Sequence, residues 1–329
     1  MLNTTLQGGH DRILSKATGM ADSARNTQHA ALEPDFVIAG NVARDITPSG
    51  WAPGGTAVYA GLVARGLGRR VGVVTAAPPD VVAAGLPPDV AVARADVAEA
   101  TSFENVYSAG GRVQYLRATG SPIPPALVPA AWTNAAVVLL GPVYHEVSVA
   151  LAARFTGMIG VCAQGFLRRT GPESRVTPMP PAEWDALPVL RHVHVLFLSE
   201  EDLGGGTGRE VPPAWLAAVP VTVLTAGPRG ARLHVDGRWS ETPAIPATEL
   251  DPTGAGDSFA AAFLIALNEG AAPPDAARFA AAVAAFAVEG QGPQAPDRAS
   301  VTARIERHSV RGSEHMAHGT RHATLGPRS

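Results

Sequence analysis

The chain has 329 residues, 46% of them apolar, enough to bury the core of one large α/β domain or two smaller ones. A formal net charge of −3 with no dense basic stripe excludes nucleic acid as the main partner. The one cysteine, Cys162, excludes an internal disulfide framework and fits a reducing compartment; at the end of an apolar run it reads as a buried thiol.

Residues 1–33 are polar and aperiodic and predict a disordered tail with no apolar segment of the secretory kind. No apolar run reaches the roughly 18 residues of a membrane span, so the expectation is a soluble, cytoplasmic protein. Phe36-Val37-Ile38-Ala39 predicts a first strand ending at Gly40, Thr56 to Leu67 a helix, and Val71-Gly72-Val73-Val74 the next strand. Thr101 to Tyr107 and Arg112 to Leu116 alternate in polarity around Ser108-Ala109-Gly110-Gly111, the pattern of a β-hairpin. Further strands are expected at Ala136 to Leu140, Gly160 to Ala163, His194 to Leu198 and Val221 to Thr225. Helices at 257–268 and 274–289 close the series. Continuous β-branched runs alternating with helical stretches predict a parallel sheet covered on both faces. Beyond 301 the chain is rich in His, Arg, Gly and Ser and predicts a flexible tail; the irregular spacing of His308, His315, His318 and His322 reads as a solvated extension.

The chemistry concentrates in Asp251-Pro252-Thr253-Gly254-Ala255-Gly256-Asp257, a Gly-rich turn that ends in a carboxylate and runs into an apolar helix. Such a turn leaves backbone N–H groups free at a helix N-terminus, where the dipole favours negative charge. Asp257 beside that pocket sits where a hydroxyl could meet a phosphoryl group; at a helix N-terminus its pKa is expected to be low. This string resembles the C-terminal signature of the PfkB/ribokinase family of carbohydrate kinases, with Pro252 where Thr is common. Other segments resemble the family in the same order: Gly40 to Asp45, the Gly54-Gly55 signature with Tyr59 in place of an Asn, Ser199-Glu200-Glu201-Asp202 as a variant of Asn-x-x-Glu, and Thr225-Ala226-Gly227-Pro228-Arg229-Gly230 as the nucleotide loop. The Gly-Asn opening, Tyr59 and the Gln-Gly-x-x-Arg segment are most similar to the atypical, inositol-kinase-like members.

The resemblance implies an α/β fold: a ribokinase-like three-layer α/β/α sandwich with a mostly parallel sheet in a domain at 34–300. A small β-sheet lid would come from about 45–53 and 101–118, followed by a flexible tail at 301–329. It implies ATP-dependent phosphorylation of a hydroxyl on a small sugar or cyclitol, with a nucleoside kinase or a sugar-binding sensor as alternatives. Asp257 would be the base, and the N–H groups of Gly254, Ala255 and Gly256 the anion hole. Asp45, Gly54, Gly55, Tyr59, Glu104, Gln164 and Arg168 would meet the substrate. Ser199, Thr225, Gly227, Gly230 and Thr253 would hold ATP, and Asp202 and Asp251 would serve Mg²⁺. Relatives of this kind often pair through their lids, which implies a homodimer.

Overall fold

The computed structural model describes residues 33–108, 111–204 and 210–319. The tail expected at 1–33 falls, except for Glu33, outside the described residues, as does 320–329 with His322.

The strand series builds one sheet. β1 (Phe36–Ala39) is followed by β2 (Ala43–Thr47), β3 (Gly50–Gly54), α1 (Thr56–Gly66), β4 (Val71–Thr75), α2 (Pro79–Gly85) and β5 (Ala91–Arg94). Then come β6 (Ser102–Ser108), β7 (Gly111–Ala118), β8 (Val137–Leu140), α3 (Val149–Ala152), β9 (Met158–Cys162), β10 (Arg168–Thr170) and β11 (Val176–Pro178). The chain continues through α4 (Leu187–Leu190), β12 (Val195–Ser199), α5 (Pro213–Ala218), β13 (Val221–Thr225), β14 (Ala231–Val235) and β15 (Arg238–Thr242). It ends in α6 (Ala255–Asn268), α7 (Pro273–Glu289) and α8 (Arg298–Gly319).

The large sheet has nine strands in the order β15-β14-β13-β12-β9-β8-β1-β4-β5. From β13 to β5 all neighbours are parallel, while β14 and β15 add on as an antiparallel hairpin. Residues of β1 alternate between two cores: Phe36 and Ile38 pack with α1, α6 and α7, whereas Val37 and Ala39 pack with Trp132, Leu151 and Trp215 on the other face. Two-sided burial is why these strands are apolar throughout. A separate four-stranded sheet, β3-β2-β6-β7, pairs β2 with β6 in parallel. Its inner face shares a small core of Ala43, Phe103, Leu116 and Val143 with the large body.

The hairpin β14–β15 went unpredicted, although its signal was present. Asp236 and Gly237 join the strands with φ of 49° and 73°, the two positive angles that an Asp-Gly hairpin turn requires. The flexible tail expected from 301 is corrected. α8 docks there, with Val301 buried in the α-side core and Arg304 donating to both carboxylate oxygens of Glu289 at 2.7 and 2.8 Å. Val301 and Ile305, with the ion pairs of Arg298 to Glu269 and Arg304 to Glu289, seat a helix whose composition is otherwise that of a solvated segment.

The strand order reverses between β1 and β8: the chain leaves β1 toward β4 and β5, then returns to place β8 on the opposite side. Ligands in such sheets bind beyond the carboxyl ends of strands at this switch point. The loops after β1, β8, β9, β12 and β13 converge there on one cavity of about 1200 Å³ beneath the small sheet.

Candidate active site

The turn at 251–257 is built from its glycine outward. Gly254 is left-handed, with φ of 76°, and a Cβ on it would lie 2.0 Å from Cδ1 of Tyr59. Both the backbone angle and the ring beneath exclude other residues. Asp251 accepts the Thr253 N–H at 2.9 Å, and the N–H groups of Leu250 and Asp251 donate to Val288 O, which ties the turn to the end of α7. Asp251 is thus spent on its own turn and does not line the cavity. Thr253, Gly254, Ala255, Gly256 and Asp257 do. The Ala255 N–H reaches back to Pro252 O at 3.3 Å, a long bond that a bound anion would compete with.

Asp257 stands in the first turn of α6, and its Oδ1 accepts the Thr56 hydroxyl at 2.7 Å. Burial pushes its pKa up to about 6; the Thr56 hydroxyl and Arg168 oppose the rise, and Asp202 adds to it. The low value expected from the helix N-terminus is corrected, because loss of solvent around the carboxylate outweighs the dipole. Cys162 also faces the cavity, and burial, with Asp257 and Asp202 near, raises its pKa well above the usual thiol range. A thiol held protonated in this way is a poor nucleophile, as the sequence suggested.

Around the end of the cavity beneath the small sheet stand Asp45, Gly55, Tyr59, Gln164 and Arg168. Gly54 lies behind Asp45: a Cβ there would come within 2.1 Å of Asp45 Oδ2, so this glycine makes room for the acid. Gly55, with φ of 89°, lets the chain pass between Asn41 O and Val143. Arg168 donates to Val143 O at 2.8 Å and to Gln164 Oε1 at 2.9 Å, and its guanidinium lies 4.9 Å from the centre of the Phe103 ring. The expectation for Glu104 is corrected. It pairs with Arg117 at 2.6 Å away from the cavity, while Phe103 and Asn105, on the opposite face of β6, point in with Gln114.

At the other end of the cavity, Ser199 and Asp202 close a reciprocal pair. The Ser199 N–H donates to Asp202 Oδ2 at 2.7 Å, and the Asp202 N–H donates to Ser199 Oγ at 3.1 Å. Asp202 is buried, which raises its pKa against the opposing pull of Ser199, Arg168 and Gln164. Thr225 donates its hydroxyl to Leu198 O at 3.2 Å, and Gly227 and Gly230 take φ of 56° and 96° in the loop that follows. Ser199, Thr225, Gly227 and Gly230 all line the cavity. Among the described residues no three His, Cys, Asp or Glu side chains cluster to hold a metal ion. Asp251 turns one oxygen to the Thr253 N–H, and Asp202 keeps one oxygen on the Ser199 N–H while lining the cavity.

Sequence reading missed Thr56 and Glu146. Glu146 is 2% exposed and receives the N–H groups of Asn41, Val143 and Tyr144 at 2.7–2.9 Å, pinning the loops after β1 and β8 together. Nothing in a lone acid of Gly141-Pro142-Val143-Tyr144-His145-Glu146 signals that clamp.

Residues 170–299 match the model of the pfkB family carbohydrate kinases. The chain is similar to a nucleoside kinase of Methanocaldococcus jannaschii, 31% identical over 130 residues that make up 38% of this chain and 43% of that protein. It is 40% identical to a ribokinase of Arabidopsis thaliana over 87 residues, 25% of this chain and 23% of the relative. An inositol 3-kinase of Zea mays is 46% identical over 55 residues, 17% of this chain and 14% of the relative. These matches span less than half the length of the curated relatives. Solved structures share the fold over most of the chain. A pyrophosphate-dependent kinase in the ribokinase family, complexed with a pyrophosphate analog and myo-inositol, superposes with a TM-score of 0.66 at 21% identity, covering 82% of this chain and 99% of that one. The Arabidopsis ribokinase complexed with ribose and ATP gives 0.62 at 20% identity, over 83% and 99%. Residues 170–299 thus match a PfkB family carbohydrate kinase domain, and the chain has a ribokinase-like fold.

Proposed function

We propose that the protein is an ATP-dependent phosphotransferase acting on a hydroxyl of a small sugar or cyclitol. The observation that carries this reading is the shared cavity of Asp257 and the turn Gly254-Ala255-Gly256: a proton acceptor and the N-terminus of α6 face the same space. The acceptor oxygen attacks the terminal phosphorus, its proton passes to Asp257, and the bond to the departing diphosphate breaks. A base of pKa about 6 is mostly ionised at neutral pH and still receives a proton readily. Charge on the phosphoryl oxygens would be met by the N–H groups of the turn, with alignment supplying most of the rate.

Asp45, Asn105, Gln114 and Gln164 offer one carboxylate and three amides at the acceptor end, a set suited to an uncharged polyol. The donor end is lined by small apolar groups, among them Ala226, Ile245, Ala281, Ala284, Ala285 and Val288. A flat heterocycle fits such a slot, which favours a nucleotide over pyrophosphate as donor. The volume, above the roughly 300–1,000 Å³ of a typical single-ligand pocket, accommodates both substrates. No step is routed through a metal; Asp202 is the cavity carboxylate that would meet one. A nucleoside acceptor is the second reading, favoured by the 31% identity to the nucleoside kinase.

The test is a screen of sugars, cyclitols and nucleosides with ATP or pyrophosphate, read by acceptor-dependent release of ADP or phosphate. Release of ADP with a sugar or cyclitol is the expected result. Turnover with pyrophosphate alone would overturn the donor assignment, and a compound that binds without any turnover would mark the protein as a sensor.

A further inference from the structure

The carboxylate of Asp257 is positioned by a segment far from it in sequence. α6 gives its N-terminus no side-chain cap, and the Thr56 hydroxyl, 201 positions away, donates to Oδ1 at 2.7 Å. Thr56 opens α1 directly after Gly55 and is 5% exposed. Behind it, a Cβ on Gly141 would lie 2.3 Å from Thr56 Cγ2, so the end of β8 presses on the methyl group through bare backbone. A Cβ on Gly40 would in turn lie 2.1 Å from Gly141 O, which places the end of β1 in the same stack. A β-branched side chain is stiff about χ1, and a methyl wedged against backbone leaves the hydroxyl one direction. Tyr59 follows three residues later on the same face of α1, and its ring packs under Gly254. The first turn of α1 thus grips the 254–257 turn at two points.

We propose that Thr56 is a positioning residue for the transfer step: its hydroxyl occupies Oδ1 of Asp257 and leaves Oδ2 to face the acceptor hydroxyl, while Gly141 holds the Thr56 methyl so that the donor cannot rotate. This rests on the reading of Asp257 as the proton acceptor. The groups facing the carboxylate are Thr56 from α1, Cys162 at the end of β9, Arg168 opening β10 and Asp202 after β12. Thr56, Arg168 and Cys162 favour its charged form, whereas burial and Asp202 oppose it. Thr56 accordingly has a signature that packing alone would not have, since its removal changes both where the carboxylate points and where it titrates.

The test compares Thr56→Val, which keeps shape and loses the donor, with Thr56→Ser, which keeps the donor and loses the methyl group. The side-chain carboxyl of Asp257 is titrated by ¹³C NMR without substrates, and kcat and acceptor KM are measured in parallel. In Thr56→Val the midpoint is expected to move up from about 6, and kcat to fall by about tenfold or more with acceptor KM within about twofold. Thr56→Ser is expected to restore the midpoint, because the donor remains, and to recover turnover only in part, because nothing then holds the hydroxyl in place. An unchanged midpoint in Thr56→Val, or equal losses in the two variants, would overturn the proposal. The titration needs no turnover, so it decides the Thr56 contact even if Asp257→Asn proves active, a result that would overturn the base assignment alone.

Discussion

At the scale of single residues, Asp257 links chemistry to stability with opposite signs. A carboxyl whose pKa is raised to about 6 in the folded protein, from 3.8, binds a proton more tightly folded than unfolded. Its contribution to stability is therefore fully present below pH 3.8 and is lost as pH rises through about 6. Asp257→Asn removes that penalty. The variant is expected to be more stable than wild type at pH 8, by roughly 1–2 kcal/mol after allowance for the weakened Thr56 contact, and to lose the advantage near pH 4. Urea denaturation at the two pH values measures the difference. Turnover behaves in the opposite way: kcat/KM should rise with pH along an acid limb near 6, and the Asn variant should lose about 10²–10⁴-fold. A stabilised, inactive variant is the joint signature of a half-buried carboxylate that takes the proton. Equal stability at both pH values would show that burial does not raise this group.

At the scale of elements, α8 supports the site from outside. Arg304 holds the Glu289 carboxyl below the usual carboxylate range, and Glu289 ends the helix whose Val288 carbonyl anchors Leu250 and Asp251 ahead of the Gly-rich turn. A depressed carboxyl contributes stability above its unfolded pKa of 4.5 and loses it as pH falls through the lower folded value. Arg304→Met is thus expected to lower the melting temperature at pH 7 by the few degrees that about 0.5–1 kcal/mol of a partly exposed ion pair supplies, with the gap closing in acid. A gap that persists at pH 3 would assign the effect to the packing of the Arg304 guanidinium on the Phe286 ring, 4.8 Å from its centre. The same element shows what was hidden in the sequence. Parallel strands such as Val137–Leu140 announce themselves by continuous apolar character, because burial on both faces leaves no other option. α8 does not, since its docking rests on Val301, Ile305 and two ion pairs within a polar run. On β6, alternation says that Glu104 lies opposite Phe103 and Asn105 but not which side meets the cavity. That is decided by β2, which lays β6 beside it and turns Phe103 onto Val143. The glycines and acids of the 251–257 turn were legible because they follow one another in the chain; Thr56 was not, because its partner lies on another element.

At the scale of the whole molecule, the cavity is shared between the small sheet and the large body. Phe103 belongs to the small sheet and lies under the guanidinium of Arg168, which is anchored on the large body through Val143 O and Gln164. Ala284 belongs to α7 and faces the other end of the same cavity. If the acceptor binds beneath the small sheet and the donor against α7, the two ends can be perturbed separately. Phe103→Ala removes the ring that closes the acceptor end and is expected to raise acceptor KM by about tenfold, the cost of roughly 1.4 kcal/mol, with donor KM within about twofold. Ala284→Leu fills the donor slot without crossing the sheet and is expected to do the reverse. Because Ala284 opens on the cavity and is half-buried, the larger side chain grows into empty volume instead of overpacking the core. Initial rates over a grid of both substrates yield the two KM values from each variant. Crossed effects, with either variant changing both constants equally, would mean that the substrates overlap in one subsite. A clean separation would place the transfer at the point where both ends meet, beside Asp257 and the N-terminus of α6.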